Sequence, residues 1–277
     1  MIRLKIPFIL FLLTFFIGSC KQKIESDCAD NDINGYNYGL FGDFDNAKEA
    51  YEKAIKINPK DYKAYYGLAY SCFYLGDSQA AIKNLNKAIE INPDFTMAYY
   101  AEGEIKMVCG DMKGAVEDFS KAIDVKNNLS YAYYHRANAY ATLGNHIKAV
   151  EDLDSFIKLK PDFYAAYFTR AYYKSEGGDL QGAIDDYSKC LELNSQYVNA
   201  YYNRALLYGG IKKYQFAVND LTKIINLDAD RHSAYLYRGI YEFYINQKEQ
   251  GCADLAKAKS LGVSNADEYI SKYCTTK

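Results

Sequence analysis

The chain has 277 residues, a net charge of −2 and a hydrophobic content of 49%. That hydrophobic content excludes general disorder, and the lack of a basic excess argues against nucleic-acid binding. The length allows one or two globular domains or a single array of repeats.

Residues 1–19 are predicted to be a targeting leader that is not part of the fold. Arg3 and Lys5 make a basic start, and residues 6–17 form an apolar run that is too short to span a bilayer comfortably. An ordinary secretory leader that is cut nearby would also fit these features.

The leader ends in Ile17-Gly18-Ser19-Cys20, which resembles the lipobox of bacterial lipoproteins. The resemblance implies that the chain is cut before Cys20, the lipidation site, and that this cysteine carries acyl chains such as palmitate. Several acyl chains together make a stable membrane anchor. Lys21 follows, where Asp would signal retention in the inner membrane. The resemblance therefore implies a lipid anchor in the outer membrane of the cell envelope, at its periplasmic face or at the cell surface.

From residue 28 onward the sequence repeats every 34 residues without a gap, which defines repeats 1 to 7 and positions 1 to 34 in each. The repeats are 28–61, 62–95, 96–129, 130–163, 164–197, 198–231 and 232–265. Positions 8 and 20 are always Gly or Ala, position 24 is always a large apolar residue, and position 4 is Tyr from repeat 2 onward. A period of this length predicts stacked supersecondary units that share one core.

Repeat 2 shows what one unit should look like. Residues 64–75 have apolar residues at helical spacing, Gly76-Asp77 interrupts them, and residues 79–91 form a second helix that ends at Asn92-Pro93. Small residues at positions 8 and 20 would let the two helices approach closely. Each repeat is therefore predicted to be a helix–turn–helix pair.

This pattern resembles the tetratricopeptide repeat family over residues 28–265. The resemblance implies an all-α, right-handed superhelical solenoid whose first helices line a groove for an extended peptide or a partner helix. Position 27 departs from the family pattern, because Phe156, Cys190 and Ile224 replace the usual alanine.

Position 7 is Arg in repeats 4 to 7, and position 23 is Asp in the repeats that precede them, 3 to 6. Repeat 3 has Glu102 at position 7, and pairing within repeats would set it against Asp118. We therefore expect the ion pairs to join adjacent repeats. The expected pairs are Asp118 with Arg136, Asp152 with Arg170, Asp186 with Arg204 and Asp220 with Arg238.

Both ends of the array are irregular. Residues 20–27 are expected to be a polar tether, and the first helix of repeat 1 is expected to be frayed or shortened because it is rich in Asn, Asp and Gly. Residues 266–277 are predicted to contain a capping helix.

Six cysteines remain after Cys20, an even number that an oxidising compartment would allow to form disulfides. A bond between Cys252 and Cys274 is expected, and one between Cys72 and Cys109 is the weaker alternative. Cys190 is expected to be a buried core residue.

The candidate partner site follows from the family resemblance, which places positions 2, 5, 9, 12 and 13 on the groove face. Tyrosine suits such a surface because it combines rigid contact area with one polar tip. The predicted groove residues are Tyr66, Tyr70, Phe73, Tyr74, Tyr100, Tyr134, Phe168, Tyr172, Tyr202 and Tyr244.

No catalytic constellation, metal-ligand spacing or phosphate loop accompanies this surface, so we predict neither enzymatic activity nor a cofactor. Asn138 and Asn203 lack the lysines with which relatives bind a C-terminal carboxylate. The sequence predicts a non-catalytic scaffold or adaptor at the envelope that binds a protein or peptide partner. The alternatives are glycan or peptidoglycan binding and the positioning of a catalytic partner.

Overall fold

A computed structural model describes residues 23–274, and these residues form fifteen α-helices and no strand. The all-α repeat fold predicted from the sequence is therefore confirmed. The helices are α1 Lys23–Leu40, α2 Phe44–Ile57, α3 Tyr62–Tyr74, α4 Ser78–Ile91, α5 Thr96–Val108, α6 Met112–Val125, α7 Ser130–Thr142, α8 His146–Leu159, α9 Tyr164–Glu176, α10 Leu180–Leu193, α11 Val198–Gly210, α12 Tyr214–Leu227, α13 His232–Tyr244, α14 Lys248–Ser260 and α15 Ala266–Tyr273.

The turns between the two helices of a repeat share one backbone feature. Position 15 has a positive φ in every repeat, and it is Gly in repeats 1 to 5. Lys212 and Asn246 adopt the same left-handed conformation in repeats 6 and 7, at φ of 61° and 63°. At position 16, Asp77 accepts a hydrogen bond from the backbone N–H of Ala80 and so begins α4.

The core lies where the two helices of a repeat cross. The alanines at positions 8 and 20 are fully buried, as are Leu85, Phe119, Leu153, Leu221 and Leu255 at position 24. Repeat 7 has glycine at both small positions, and a Cβ on Gly239 would lie 2.8 Å from the carbonyl oxygen of Gly251. The crossing of α13 and α14 is therefore too close even for alanine.

The chain divides into two compact units, and the boundary lies between Ala132 and Tyr133. We call them the N-terminal unit and the C-terminal unit, and each is described by itself. The N-terminal unit contains a core around Leu85 and Ala98, whereas the C-terminal unit contains separate clusters around Leu153, Tyr187, Leu221 and Leu255.

The predicted ion pairs between repeats are wrong, because each arginine binds the aspartate of its own repeat. Arg204 donates from Nε and Nη2 to the two carboxylate oxygens of Asp220, at 2.8 and 2.7 Å. The same two-bond pairing joins Arg136 to Asp152, Arg170 to Asp186 and Arg238 to Asp254. In the N-terminal unit, Asp118 instead binds Lys106.

The arginines do reach the preceding repeat, but at position 25 instead of position 23. Nη1 of Arg170 binds Asp154, Nη1 of Arg204 binds Ser188, and Nη1 of Arg238 binds Thr222. Residues two apart on a helix point about 200° apart. Since position 23 faces the first helix of its own repeat, position 25 is the one that faces the next.

Repeat 3 shows why the sequence argument failed. Glu102 and Asp118 do face each other, and Lys106 lies between them, with Nζ 2.7 Å from Glu102 Oε1 and 2.6 Å from Asp118 Oδ2. The cation comes from position 11, which the sequence analysis did not consider. Lys174, at position 11 of repeat 5, likewise binds Asp186 at 2.8 Å.

The expectation of a short first helix and a tether to residue 27 is also wrong. The helix α1 begins at Lys23 and runs for 18 residues. Gly35 is buried against Tyr51, whose ring would lie 2.8 Å from a Cβ at that position. Close packing against α2 therefore outweighs the poor intrinsic helix propensity of this segment.

At the other end, α15 packs onto the last repeat through Ala266, Ile270 and Tyr273. A disulfide joins Cys252 in α14 to Cys274, which follows α15 directly. Cys72, Cys109 and Cys190 are free thiols, so the alternative Cys72–Cys109 bond does not form. Cys190 is fully buried, and burial raises the pKa of its thiol to about 11.

Candidate functional site on the first helices

The predicted groove residues of the N-terminal unit form a continuous group of rings. The centroids of Tyr66 and Tyr70 lie 5.0 Å apart, and those of Tyr70 and Tyr74 lie 6.3 Å apart. Phe73 contacts Tyr74 edge-on at 5.7 Å. Tyr74 is 49% exposed, so this group reaches the surface at its Tyr74 end.

Tyr100 differs from the sequence expectation, because only 5% of its surface is exposed. Its ring packs 5.8 Å from that of Phe119, the buried position-24 residue of the same repeat. The ring of Tyr66 is also covered by that of Phe95, with 5.2 Å between the ring centroids. Position 5 therefore fills space between the helices of a repeat and the residue that precedes the next repeat.

The C-terminal unit follows the same rule at position 5. Tyr134 packs against Phe156 at 5.2 Å, Phe168 against Tyr197 at 5.0 Å, and Tyr202 against Tyr237 at 6.0 Å. Among the described residues of either unit, the predicted groove residues at position 5 therefore do not form an exposed stripe. These rings are mainly core, because each has an aromatic neighbour that removes most of its surface from water.

Three predicted groove residues are close to half-exposed. They are Tyr74 at 49%, Tyr172 at 46% and Tyr244 at 51%, and they come from positions 13, 9 and 13 of their repeats. Tyr172 contacts Tyr173 at 5.7 Å, whereas Tyr244 stacks on Tyr214 at 4.6 Å. Tyr74 is thus the outer end of one continuous group of rings in the N-terminal unit, whereas Tyr172 and Tyr244 of the C-terminal unit contact different rings.

Sequence reasoning missed two parts of this surface. Glu104, at position 9 of repeat 3, is partly buried beside the N-terminal tyrosines, and burial raises its pKa to about 7. Tyr273 of α15 packs on Phe243 at 4.4 Å, and its hydroxyl lies 3.3 Å from that of Tyr244. The first could have been noticed as a single acid at a position otherwise held by aromatic, amide and aliphatic residues.

The two asparagines considered for a carboxylate site are held by neighbouring tyrosines. Asn138 Oδ1 accepts a hydrogen bond from Tyr173 Oη at 2.8 Å, and Asn203 Nδ2 donates to Tyr187 Oη at 3.1 Å. Both amides therefore connect helices within the C-terminal unit.

The described residues contain no group of three or more His, Cys, Asp or Glu side chains that could hold a metal ion. His135 is largely buried, which lowers its pKa to about 4 and keeps it neutral at physiological pH. Within residues 23–274, no helix is both long and apolar enough to cross a membrane. Cys20 lies outside the described residues, so its lipidation remains a prediction.

The helix pairs, the conserved turn geometry and the first-helix surface define an all-α helical repeat protein. Models described as "Tetratricopeptide repeat" match residues 35–61, 62–95, 130–163 and 198–231, and one described as "TPR repeat" matches residues 175–212. Together they match more than half of the chain. The chain belongs to the tetratricopeptide repeat family.

Solved structures agree with this assignment. The MamA protein is 26% identical, with a TM-score of 0.57 over 62% of this chain and 93% of that one. YrrB, described as having an unusual peptide-binding site, is 24% identical, with a TM-score of 0.61 over 68% and 96%. A tetratricopeptide repeat protein from Parabacteroides merdae is 19% identical, with a TM-score of 0.60 over 90% and 100%.

The last two likenesses show the fold alone. No curated protein matches the sequence significantly. The family nevertheless carries a general role, because tetratricopeptide repeat proteins commonly mediate protein–protein interaction and their scaffold is generally non-catalytic.

Proposed function

We propose that this protein is a non-catalytic scaffold of the bacterial cell envelope that binds a peptide or protein partner through the first-helix surfaces of its repeats. The observation that carries this proposal is the half-exposed tyrosines Tyr74, Tyr172 and Tyr244 on those helices. A partly exposed tyrosine offers apolar area that a partner can bury and a hydroxyl that can bind its backbone.

The exposure of each tyrosine decides whether its replacement tests binding or only destabilises the fold. Replacement of Tyr100 would open a cavity beside Phe119, and loss of a buried aromatic side chain costs about 3–5 kcal/mol. A variant with Ala at Tyr74, Tyr172 and Tyr244 removes accessible rings and leaves the position-5 core intact. The matched control places Ala at Ile147 and Phe216, which are 75% and 55% exposed on second helices.

The experiment is a pull-down from solubilised envelope with the full chain in mild detergent. A partner recovered by the wild type and by the Ile147/Phe216 control, but not by the Tyr74/Tyr172/Tyr244 variant, supports the proposal. A partner recovered equally by all three baits would show that binding does not use the first-helix surfaces.

Glycan binding is the second candidate, because half-exposed tyrosines that contact different rings, such as Tyr172 and Tyr244, also suit the stacking of individual sugar rings. Its test is retention of the same three baits on insoluble peptidoglycan. Retention that the tyrosine variant loses, with no protein recovered from the envelope, would favour the glycan over the protein partner.

The envelope location in this proposal depends on Cys20, Lys21 and the apolar leader. Metabolic labelling with an alkyne fatty acid should mark the wild type and fail to mark Cys20→Ala. Membrane fractionation should then release the Cys20→Ala protein from the outer membrane. Labelling of both proteins would show that the acyl chain is attached to a residue other than Cys20.

A further inference from the structure

The N-terminal unit has a polar centre inside its tyrosine group, and the proposed function does not account for it. Tyr66, Tyr70 and Tyr74 come from α3, and Tyr100 and Glu104 come from the neighbouring first helix, α5. We call these five residues the Tyr–Glu site. Position 9, which supplies Glu104, is occupied in the other repeats by Tyr36, Tyr70, Asn138, Tyr172, Leu206 and Ile240.

The rings of Tyr74, Tyr70 and Tyr66 form a continuous row from the half-exposed Tyr74 to the more buried Tyr66. Tyr74 is half-exposed and stacks on Phe44, with 4.4 Å between centroids and 8° between ring planes. Tyr70 and then Tyr66 follow at 6.3 and 5.0 Å. A side chain that enters beside Tyr74 would therefore meet aromatic surface along its length.

The charge of Glu104 influences all four tyrosines. Burial is the main cause that raises the pKa values of Tyr66, Tyr70, Tyr74 and Tyr100, and the Glu104 charge adds to the rise in each. Burial also raises the pKa of Glu104 itself, and the hydrogen bond from Tyr100 only partly offsets it. A positive charge brought beside this carboxylate would favour its ionised form.

The site also contains a buried hydroxyl, that of Tyr66. Tyr66 Oη is buried, and no atom pair of hydrogen-bond geometry involves it among the described residues. The Tyr70 hydroxyl lowers the pKa of Tyr66 as a hydrogen-bond donor does, but the pair falls short of full hydrogen-bond geometry. A buried hydroxyl whose hydrogen bonding is incomplete is costly, which makes a further donor favourable at this point.

We propose that the Tyr–Glu site binds a lysine side chain of the partner polypeptide. An ammonium group has three N–H donors and no acceptor, so it can bind the Glu104 carboxylate and Tyr66 Oη together. Tyrosine ring faces attract cations, and the aliphatic part of a lysine can pack along apolar surface. This inference rests on the proposed function, because the lysine belongs to the segment that the first helices bind.

The test uses two labelled seven-residue peptides, one with a single lysine between two leucines and one with glutamine in its place. Their binding to the full chain in detergent is measured by fluorescence anisotropy. The wild type should bind the lysine peptide about tenfold more tightly than the glutamine peptide, in line with a cation held by a carboxylate and aromatic rings.

Glu104→Gln should bring the two affinities within about twofold of each other, because it removes the charge and keeps the shape. The matched control is Glu117→Gln, which removes the same charge from an exposed position on the second helix of the same repeat and should keep the preference. Tyr66→Phe, which removes only the hydroxyl, should weaken the lysine peptide a few-fold and leave the glutamine peptide unchanged.

Equal binding of both peptides to the wild type, no binding of either, or a preference that survives Glu104→Gln would each overturn this inference. The proposed function fails differently, since it predicts loss of the envelope partner from the Tyr74/Tyr172/Tyr244 variant whatever the peptide contains. A partner lost from that variant but retained by Glu104→Gln would leave the scaffold in place without the lysine site.

Discussion

The two units neutralise the same buried acid with different cations. In the N-terminal unit, Lys106 lies between Glu102 and Asp118 and binds both carboxylates, and the exposed Lys121 adds a longer contact of 3.7 Å to Asp118. In the C-terminal unit, arginines such as Arg204 bind the position-23 aspartate through two parallel hydrogen bonds. The constant element is the acid, and the cation can come from either position 7 or position 11 of the first helix.

The units also differ on the first-helix surface. Glu104 places a titratable group among the tyrosines of the N-terminal unit, whereas position 9 of the C-terminal unit holds neutral residues. The buried acid without a full partner in the C-terminal unit is Glu242, whose Oε2 makes no hydrogen bond in the described part of the chain. One unit thus has a buried acid of raised pKa, Glu104, at a candidate binding surface, and the other has one, Glu242, beside an ion pair.

The largest expected effect is the loss of stability when either kind of ion pair is broken. Arg204→Ala leaves Asp220 buried without its cation, which should lower the free energy of unfolding by about 3–5 kcal/mol. Lys106→Ala leaves two facing carboxyls, with the longer Lys121 contact to Asp118 still present, and should cost a similar amount. Urea unfolding of the full chain, followed by circular dichroism, measures both.

Arg231→Ala is the control, since Arg231 makes an exposed hydrogen bond to Asn199. It should change stability by less than about 1 kcal/mol. Replacing Arg204 by Met and Asp220 by Leu together should recover most of the loss. An Arg204→Ala protein as stable as Arg231→Ala would show that these pairs contribute nothing.

Reduction of the Cys252–Cys274 bond should affect the C-terminal unit alone. The bond closes a segment with a sequence separation of 22 residues, for which loop entropy gives about 3 kcal/mol. Hydrogen exchange should become faster in α15 and the end of α14 of the Cys252→Ser/Cys274→Ser protein. Cys109→Ser, which removes an exposed free thiol, is the control. Unchanged exchange in α15 would mean that its apolar contacts suffice.

The pH dependence of stability should differ between Glu242→Gln and the wild type. Burial first, and then the charge of Asp254, raise the pKa of Glu242 from 4.5 to about 7, and Arg238 opposes the rise. The folded chain therefore binds this proton more tightly than the unfolded chain. The contribution of Glu242 to the free energy of unfolding therefore rises as the pH falls from about 7 to 4.5.

Above pH 7, Glu242→Gln should accordingly be more stable than the wild type by about 1–3 kcal/mol, and the difference should shrink towards pH 4.5. Glu104→Gln should show the same trend from the N-terminal unit. Buried His135 has the opposite sign below about pH 6.5, but it is common to all three proteins and cancels. Parallel stability curves for variant and wild type would contradict the assigned burial of the two acids.

The smallest expected effect is at the turn of repeat 6. Lys212 has a φ of 61°, a conformation that glycine adopts without steric cost. Lys212→Gly should raise the free energy of unfolding by up to about 1 kcal/mol. Gly178→Ala, at the same position of repeat 5 with a φ of 88°, should lower it by a similar amount. Opposite signs from the two substitutions are required, and equal signs would contradict the turn argument.

Several features followed from the sequence because they depend on local chemistry and on repetition. Gly76 marks a turn that needs positive φ, Ala81 marks a helix crossing without room for a larger side chain, and the 34-residue period marks each unit. The turn glycine recurs in five repeats and the alanine in six, so the all-α repeat fold could be predicted without a structure. The lipid anchor at Cys20 was likewise inferred from sequence and still awaits its test.

The tertiary structure decided the contacts that depend on direction. Position 23 could have faced either neighbouring first helix, and only the rotation of the second helix turned Asp152 to Arg136 and Asp154 to Arg170. Tyr100 and Tyr74 were equal candidates for the groove, yet one is core and the other half-exposed, because the side chains of several helices together set how much water reaches a ring. The period fixes which residues recur, whereas the packing of neighbouring helices fixes what each side chain touches.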